Sequence, residues 1–202
     1  MGIAIHPSAH YAVVATASPT WHFVDIPRQV CLKKVTTNEA DTIYQSCALH
    51  PDGLILGTGT KQGVLKIWDI REQKNVSSLT EHSNAIEDIA FSENGYLLAT
   101  GSSDGTVKIW DLRKLACTKT SDIGASVGSL AFDYSGVYLG IASNTKAQVK
   151  VVKEWQDAVV SSFCFLCLLS HLIVILFFVS RYWMVFIIRI LQVLLGDHML
   201  EL

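Results

Sequence analysis

The sequence has 202 residues, with 16 lysines and arginines against 18 aspartates and glutamates, and its formal net charge is −2. That length suits one domain. The two signs of charge are evenly mixed, so no basic stripe indicates direct binding to a nucleic acid. Cys31, Cys47 and Cys117 fall at or near predicted strands and are expected to be reduced. Cys164 and Cys167 have the CxxC spacing without a second ligand pair, so a zinc site is not expected.

The first predicted element lies within residues 1–34. A His-Pro pair at positions 6 and 7 precedes an apolar run over 11–16, and a second run over 21–26 follows it. Met1 falls inside the first predicted strand with no signal peptide before it, so we expect the chain to be an internal piece of a longer protein. Residues 33–41 are polar and are predicted to form a surface loop.

Residues 45–79 repeat this pattern more clearly. The turn His50-Pro51-Asp52-Gly53 leads into an apolar strand over 54–60, and a second strand, 64–69, ends in a Trp-Asp pair. The charged residues 71–74 that follow are predicted to be a solvated turn.

Residues 81–115 contain the most complete copy. His82 starts it, a short apolar run ends in a polar turn at 92–95, and a strand follows over 96–102. Asp104-Gly105 predicts a hairpin turn, because this dipeptide readily supplies positive φ values. The next strand, 106–111, again ends in Trp-Asp.

Residues 127–155 begin a fourth copy. The spacing is regular: Gly53 to Gly95 is 42 residues, and Gly95 to Gly136 is 41. Counting 42 residues from Trp110 places Val152 at the tryptophan position of this copy.

A repeat of this length, with a glycine turn and a terminal Trp-Asp, resembles the WD40 repeat, the unit of a β-propeller blade. The sequence therefore predicts an all-β fold, an incomplete WD40 β-propeller of about three to four blades over residues 1–157. A closed ring of seven such blades would need about 290 residues. An open arc leaves sheet edges exposed, so residues 1–157 expressed alone are expected to aggregate.

The WD40 resemblance implies an internal brace in each blade. The brace joins a tryptophan on the third strand, a hydroxyl on the second, a histidine at the start and an aspartate in the turn. In the third repeat it assigns Trp110, Ser102 or a neighbouring hydroxyl, His82 and Asp104; in the second, Gln62 replaces the aspartate. The expected role is structural, and no catalytic, cofactor-binding or metal-binding residue is predicted. The remaining structural residues of the signature are Trp68, Asp69 and Asp111.

The composition changes abruptly after Asp157. Residues 159–180 contain no Asp, Glu, Lys or Arg, and about 20 apolar residues are enough to cross a bilayer. We therefore expect a second segment, 158–202, to be a hydrophobic helical tail. Three interpretations remain open: a membrane anchor, a buried helical extension, or non-native sequence such as translated intron or a shifted frame. The last is favoured because the propeller stops within a blade.

Several sequence segments are more specific than the general WD40 signature. HPDGLILGTGT (50–60), FSENGYLLAT (91–100) and VKIWDLRKL (107–115) resemble the C-terminal propeller of the pre-mRNA-processing factor 19 family, which are spliceosomal U-box ubiquitin ligases. The resemblance covers residues 1–155. It departs at residues 21–25, at Gln62, and wholly after Asp157.

The resemblance implies a nuclear protein-interaction scaffold without a cofactor. Such a propeller recruits splicing-factor proteins and ubiquitination substrates to a complex that acts in spliceosome activation and DNA repair. In the family the ligase activity belongs to a U-box, and another segment assembles a homotetramer; neither is expected within this chain, so autonomous ligase activity is not expected either. No direct nucleic-acid contact is implied. The alternative hypothesis is a membrane-anchored WD40 adaptor protein, in which residues 159–195 lie in a bilayer.

Overall fold

The computed structural model describes residues 2–37, 42–154 and 156–157. In this part of the chain all regular structure is β, in four four-stranded sheets. The strands of the first two sheets are β1 (Gly2–Ile5), β2 (Tyr11–Ala15), β3 (Thr20–Asp25), β4 (Val30–Thr36), β5 (Tyr44–Leu49), β6 (Ile55–Thr60), β7 (Val64–Asp69) and β8 (Lys74–Thr80). Those of the last two are β9 (Ile86–Phe91), β10 (Leu97–Ser102), β11 (Thr106–Asp111), β12 (Ala116–Asp122), β13 (Val127–Phe132), β14 (Tyr138–Ser143), β15 (Ala147–Val151) and β16 (Gln156–Asp157).

Each sheet contains four strands that are consecutive in the chain, and every pairing is antiparallel. The first strands of neighbouring sheets, β1, β5, β9 and β13, lie side by side in that order. This is the arrangement of propeller blades around an axis. The prediction of an all-β WD40 fold is confirmed, with four blades described.

The core lies between the blades, in three apolar junctions, and the second and third sheets each bury both faces against different neighbours. Leu65 and Ile67 of the second blade pack with Leu98 and Trp110 of the third. Similar apolar clusters fill the other two junctions. Consecutive residues Ile109 and Trp110 are therefore both about 1% exposed although they point to opposite faces.

The fourth, outer strand of each blade was not predicted from the sequence. Residues 33–41 were predicted to be a loop, but β4 extends to Thr36, and the equivalent strands β8 and β12 follow each Trp-Asp pair. β4 and β8 are mostly exposed along their length. A strand without a buried face lacks the alternation of apolar residues by which strands are recognised, so the prediction was wrong there.

The fourth blade departs from the predicted spacing. Its register pairs Leu139 with Lys150, as Leu98 pairs with Trp110 in the third blade. Lys150, not Val152, therefore occupies the tryptophan position, and it is 8% exposed. Two differences of one residue add up to this shift. Gly136 follows Gly95 by 41 residues and not 42, and four residues, 143–146, connect the last paired residues of this hairpin, against five, 102–106, in the third blade.

The predicted helical tail, residues 158–202, lies outside the described residues, so the domain boundary after Asp157 remains a prediction. No helix capable of crossing a membrane occurs in the described part of the chain.

Candidate functional site

The third blade contains a continuous chain of hydrogen bonds. The indole N–H of Trp110 donates to the hydroxyl of Thr100 at 2.9 Å. The same hydroxyl lies 2.7 Å from Nε2 of His82, and Nδ1 of that imidazole lies 3.0 Å from Oδ2 of Asp104. Because the carboxylate can only accept, Nδ1–H donates to it, and the unprotonated Nε2 of the neutral imidazole then accepts from the hydroxyl of Thr100. This series of hydrogen bonds thus fixes one neutral tautomer of His82.

Asp104 is the acceptor at the end of this series of hydrogen bonds. Its Oδ1 accepts the hydroxyl of Thr106 at 2.6 Å and the amide of Thr106 at 2.8 Å, and its Oδ2 accepts the amide of Ser83 at 3.0 Å. Burial alone would raise the pKa of this carboxyl, but the hydrogen bonds from Thr106, His82 and Ser83 outweigh it and lower the pKa to about 2. Asp104 is therefore ionised at neutral pH.

The pKa of His82 is lowered in turn. Burial disfavours its charged form, and the nearby Asp104 carboxylate offsets this effect only in part. The side chain of His82 is fully buried, while that of Asp104 is 8% exposed. A neutral imidazole held by two fixed partners is suited to positioning the loop before β9 against the β10–β11 hairpin, rather than to proton transfer.

Ser102 does not provide the bridging hydroxyl. Its Oγ donates to the carbonyl of Asn84 at 3.1 Å and accepts the amide of Asp104 at 3.1 Å. Thr100 and Ser102 lie on the same side of β10, but Trp110 pairs with Leu98, so its indole reaches the diagonal neighbour Thr100. The bridging group is thus the neighbouring threonine, two residues before Ser102.

The second blade has only half of this arrangement. Trp68 donates to the hydroxyl of Thr58 at 2.9 Å, the same length as in the third blade. The sequence has Ala40 and Gln62 at the positions 42 residues before His82 and Asp104. Neither can form the imidazole–carboxylate pair.

The aspartates of the two Trp-Asp pairs organise the turns that follow them. Oδ1 of Asp69 accepts the amides of Arg71 and Glu72 at 2.8 and 3.0 Å. Asp111 accepts the amide of Arg113 and forms a two-point ion pair with its guanidinium, at 3.1 and 2.9 Å. Hydrogen bonding from this side chain lowers the pKa of Asp111 to about 2. Both aspartates therefore close the turn between the third and fourth strands.

Exposed tyrosines at the same end of the blades were not singled out by sequence reasoning. Tyr134 is 84% exposed, Tyr96 53% and Tyr138 43%. The guanidinium of Arg113 lies 4.9 Å above the ring of Tyr96, a cation–π contact. The turns of the third and fourth blades adjoin here, since a Cβ on Gly136 would lie 3.3 Å from the side chain of Asn94. In the sequence, these tyrosines could have been found by their positions beside two of the repeated glycine turns.

Charged residues also occur in the loops around Arg71, Glu81 and Arg113. The carboxylate of Glu81 lies 3.5 Å from the ammonium of Lys108. Arg71 and Arg113 hold equivalent places after the Trp-Asp pairs. These loops therefore lie at different ends of the blades, because Glu81 precedes a first strand and the arginines follow third strands.

The described residues contain no group of three His, Cys, Asp or Glu side chains placed to hold a metal ion. Burial raises the pKa of the Cys47 thiol to about 11, so this thiol stays protonated. Cys164 and Cys167 lie outside the described residues.

Comparison with known proteins bears on the same repeats. The family model "WD domain, G-beta repeat" matches residues 29–69 and 73–111. Each match runs from the outer strand of one blade to the third strand of the next, so every sequence repeat joins two blades.

Curated relatives extend the similarity over most of the chain. The chain is 44% identical over 160 residues to Pre-mRNA-processing factor 19 homolog 2 of Arabidopsis thaliana, covering 79% of this chain and 29% of the relative. It is 50% identical over 139 residues to Pre-mRNA-processing factor 19 of Homo sapiens, covering 68% and 27%. The chain thus spans less than a third of the length of these relatives. The chain carries WD40 repeats, and these repeats are of the kind found in the pre-mRNA-processing factor 19 family.

Proposed function

We propose that the chain is a protein-docking scaffold of a pre-mRNA splicing complex. The observation that carries the proposal is identity of 44–50% with pre-mRNA-processing factors over most of the chain. The third blade, with its complete hydrogen-bonded brace, lies within that similarity. The proposed mechanism is contact through shape and polar groups at the blade ends, without bond-making chemistry.

The tyrosines at the ends of the third and fourth blades are the proposed contact surface. We define the tyrosine rim as Tyr96, Tyr134 and Tyr138. Tyrosine offers a large apolar ring and a hydroxyl, and it is enriched where proteins bind each other. Arg113 stacks on Tyr96 and is itself held by Asp111, so this part of the rim is ordered before a partner arrives.

The finer parts of the proposal follow from the family. The chain acts in the nucleus and recruits splicing-factor proteins and ubiquitination substrates for spliceosome activation and DNA repair. Ubiquitin transfer in such a complex is the work of a U-box, and the repeats described here take no chemical part in it.

The test is association of the full chain with splicing proteins in nuclear extract. An affinity-tagged chain is expressed in cells, and proteins that co-purify are quantified by mass spectrometry against an unrelated WD40 protein. Tyr96→Ala with Tyr134→Ala alters the rim, and Val76→Ala, at an exposed position on an outer strand, is the matched control.

Enrichment of splicing proteins that the rim variant loses and the control keeps supports the proposal. Equal recovery with the unrelated WD40 protein would contradict splicing as the function. Enrichment that both variants retain would contradict the tyrosine rim alone. The finer role is tested by ubiquitination of the co-purified proteins, which should fall when the rim variant replaces the natural chain.

A further inference from the structure

The turns between the first and second strands of the last three blades form a continuous row at one end of the molecule. We call it the first-turn row, and it consists of residues 50–54, 92–96 and 133–137. Nε2 of His50 donates to the carbonyl of Gly95 at 3.0 Å, which joins the turns of the second and third blades. A Cβ on Gly136 would lie 3.3 Å from the side chain of Asn94, so the turns of the third and fourth blades adjoin as well. An extended partner segment can therefore contact several turns at once.

The first-turn row carries negative charge without a lysine or an arginine. Its carboxylates belong to Asp52, Glu93 and Asp133. Asp52 is paired with the imidazole of His50, with Oδ1 2.8 Å from Nδ1. Glu93 is exposed and forms no ion pair with any other residue that the structure describes. The carboxylate of Glu93 therefore offers an uncompensated negative charge to a partner.

The arginines at this end of the blades lie on the outer turns, between third and fourth strands. The guanidinium of Arg113 forms a two-point ion pair with Asp111, and that of Arg28 lies 3.9 Å from the carboxylate of Asp25. The side chains of these two aspartates are only 8% and 9% exposed. The charges of Arg113 and Arg28 are thus compensated within their own turns and do not neutralise the first-turn row.

The first-turn row also presents two aromatic rings to solvent, those of Tyr134 and Tyr96, which belong to the tyrosine rim. Tyr134 is 84% exposed and Tyr96 is 53% exposed. Counted from the turn glycine, Glu93 holds in the third blade the place that Tyr134 holds in the fourth. Glu93 is also exposed, although its blade has a neighbour on both sides. The exposure of Tyr134 is therefore a property of this turn position.

The third blade shows how an arginine binds at this surface. The guanidinium of Arg113 lies 4.9 Å from the centre of the Tyr96 ring, while Asp111 holds its other side. In the fourth blade the register puts Val151 in the place of Asp111. Within the described ranges no cation lies over the ring of Tyr134. This ring is therefore open to an arginine from another protein.

We propose that the first-turn row binds an extended, arginine-containing segment of a partner protein. One guanidinium stacks on the ring of Tyr134, as Arg113 does on Tyr96, and a neighbouring one pairs with the carboxylate of Glu93. A guanidinium is planar and more weakly hydrated than an ammonium group, so it stacks better on an aromatic ring. An acidic or phosphorylated segment would meet charge of its own sign. The inference rests on the proposed function, in which the tyrosine rim is the contact surface, and it adds the chemical class of the segment that binds there.

The test is fluorescence anisotropy of short labelled peptides titrated with the full chain. The peptides alternate alanine with arginine, with lysine or with glutamate. The arginine peptide should bind more tightly than the lysine peptide, and the glutamate peptide should not bind. Tyr134→Ala and Glu93→Gln should each weaken binding of the arginine peptide about two- to fivefold, as expected for one cation–π or ion-pair contact at an exposed site. Val76→Ala, at an exposed position on an outer strand, is the matched control and should bind as the natural chain does.

Circular dichroism of each variant confirms that it keeps its β structure. The proposal is overturned if the arginine peptide does not bind, if the lysine or glutamate peptide binds equally well, or if neither variant weakens binding. Failure of the peptide experiment, with rim-dependent recovery of splicing proteins from extract, would leave the proposed function standing and remove only the arginine chemistry. Binding of the arginine peptide without recovery of splicing proteins would support the arginine chemistry and contradict splicing as the function.

Discussion

The indole of Trp110 and the imidazole of His82 bind the same hydroxyl oxygen, that of Thr100, at 2.9 and 2.7 Å. In the second blade the tryptophan–threonine bond has the same length, but Ala40 and Gln62 occupy the positions equivalent to the histidine and the aspartate. The two blades therefore provide a natural comparison of a complete brace with a partial one.

Replacing Thr100 with valine should destabilise the protein more than replacing Thr58 with valine. Thr100→Val leaves two buried polar groups, on Trp110 and His82, without their partner, at about 1–3 kcal/mol each. Thr58→Val leaves one, on Trp68. The free energy of unfolding of both variants is measured by urea titration. Equal losses would show that His82 contributes nothing through Thr100.

The stability of the protein should decrease as the pH falls, and it should do so over two separate pH ranges. The pKa of His82 is lower in the folded state than its ordinary 6.5, so below pH 6.5 the unfolded chain binds a proton that the folded chain does not, and stability falls. The pKa of Asp104 is about 2 against an ordinary 3.8. Its contribution is present above the unfolded value and is lost as the pH falls through about 2.

The variant His82→Gln tests the first pH range, the one assigned to His82. Its free energy of unfolding should depend less on pH just below 6.5 than that of the natural chain. His10→Gln, at an exposed histidine, is the matched control and should keep the natural dependence. The prediction fails if all three proteins show the same slope in urea titrations at a series of pH values.

Gly95→Ala should lower the melting temperature more than Gly124→Ala. Both glycines have positive φ, +73° and +76°, so alanine costs about 1–2 kcal/mol of backbone strain at either position. Only Gly95 has a neighbour in the way: its Cβ would lie 2.5 Å from Nε2 of His50. That ring nitrogen donates to the carbonyl of Gly95 at 3.0 Å across the blade junction. Differential scanning calorimetry of the two variants measures the difference, and matching melting temperatures would exclude the contact as a source of stability.

Trp21→Phe should cost less stability than Trp110→Phe, although the two side chains are 0% and 1% exposed. The buried indole N–H of Trp21 has no hydrogen-bond partner among the described residues, so its removal relieves a desolvation penalty. Trp110→Phe removes the donor to Thr100. Chemical denaturation of both variants gives the comparison, and a larger loss for Trp21→Phe would indicate that its contact with Trp68 dominates.

The elements that could be predicted from sequence were those that begin or end at a turn with a characteristic glycine. Gly53, Gly95 and Gly136 all have positive φ and mark the first turn of three blades, which is why their spacing located the repeats. The outer strands had no such signal, because their exposed residues follow no apolar alternation. Their existence follows only from pairing with the third strands.

Sequence alone also could not identify which single residue supplies the bridging hydroxyl of the brace. Both Thr100 and Ser102 carry hydroxyls on the correct face, and only the register of Leu98 with Trp110 distinguishes them. Lys150 at the tryptophan position of the fourth blade was missed because the repeat spacing and the hairpin are each one residue shorter than in the third blade. Counting along the chain cannot detect a shift that arises between paired strands.

The consecutive order of the four strands in every sheet has a kinetic consequence. Contacts between residues near in sequence form fast, because closing a short loop costs little entropy. Each blade can therefore assemble from a stretch of nascent chain before the next has been synthesised, and the apolar face it presents then serves as the surface on which the following blade condenses. We expect the chain to acquire its structure in a directional, stepwise manner from the N-terminal blade onward.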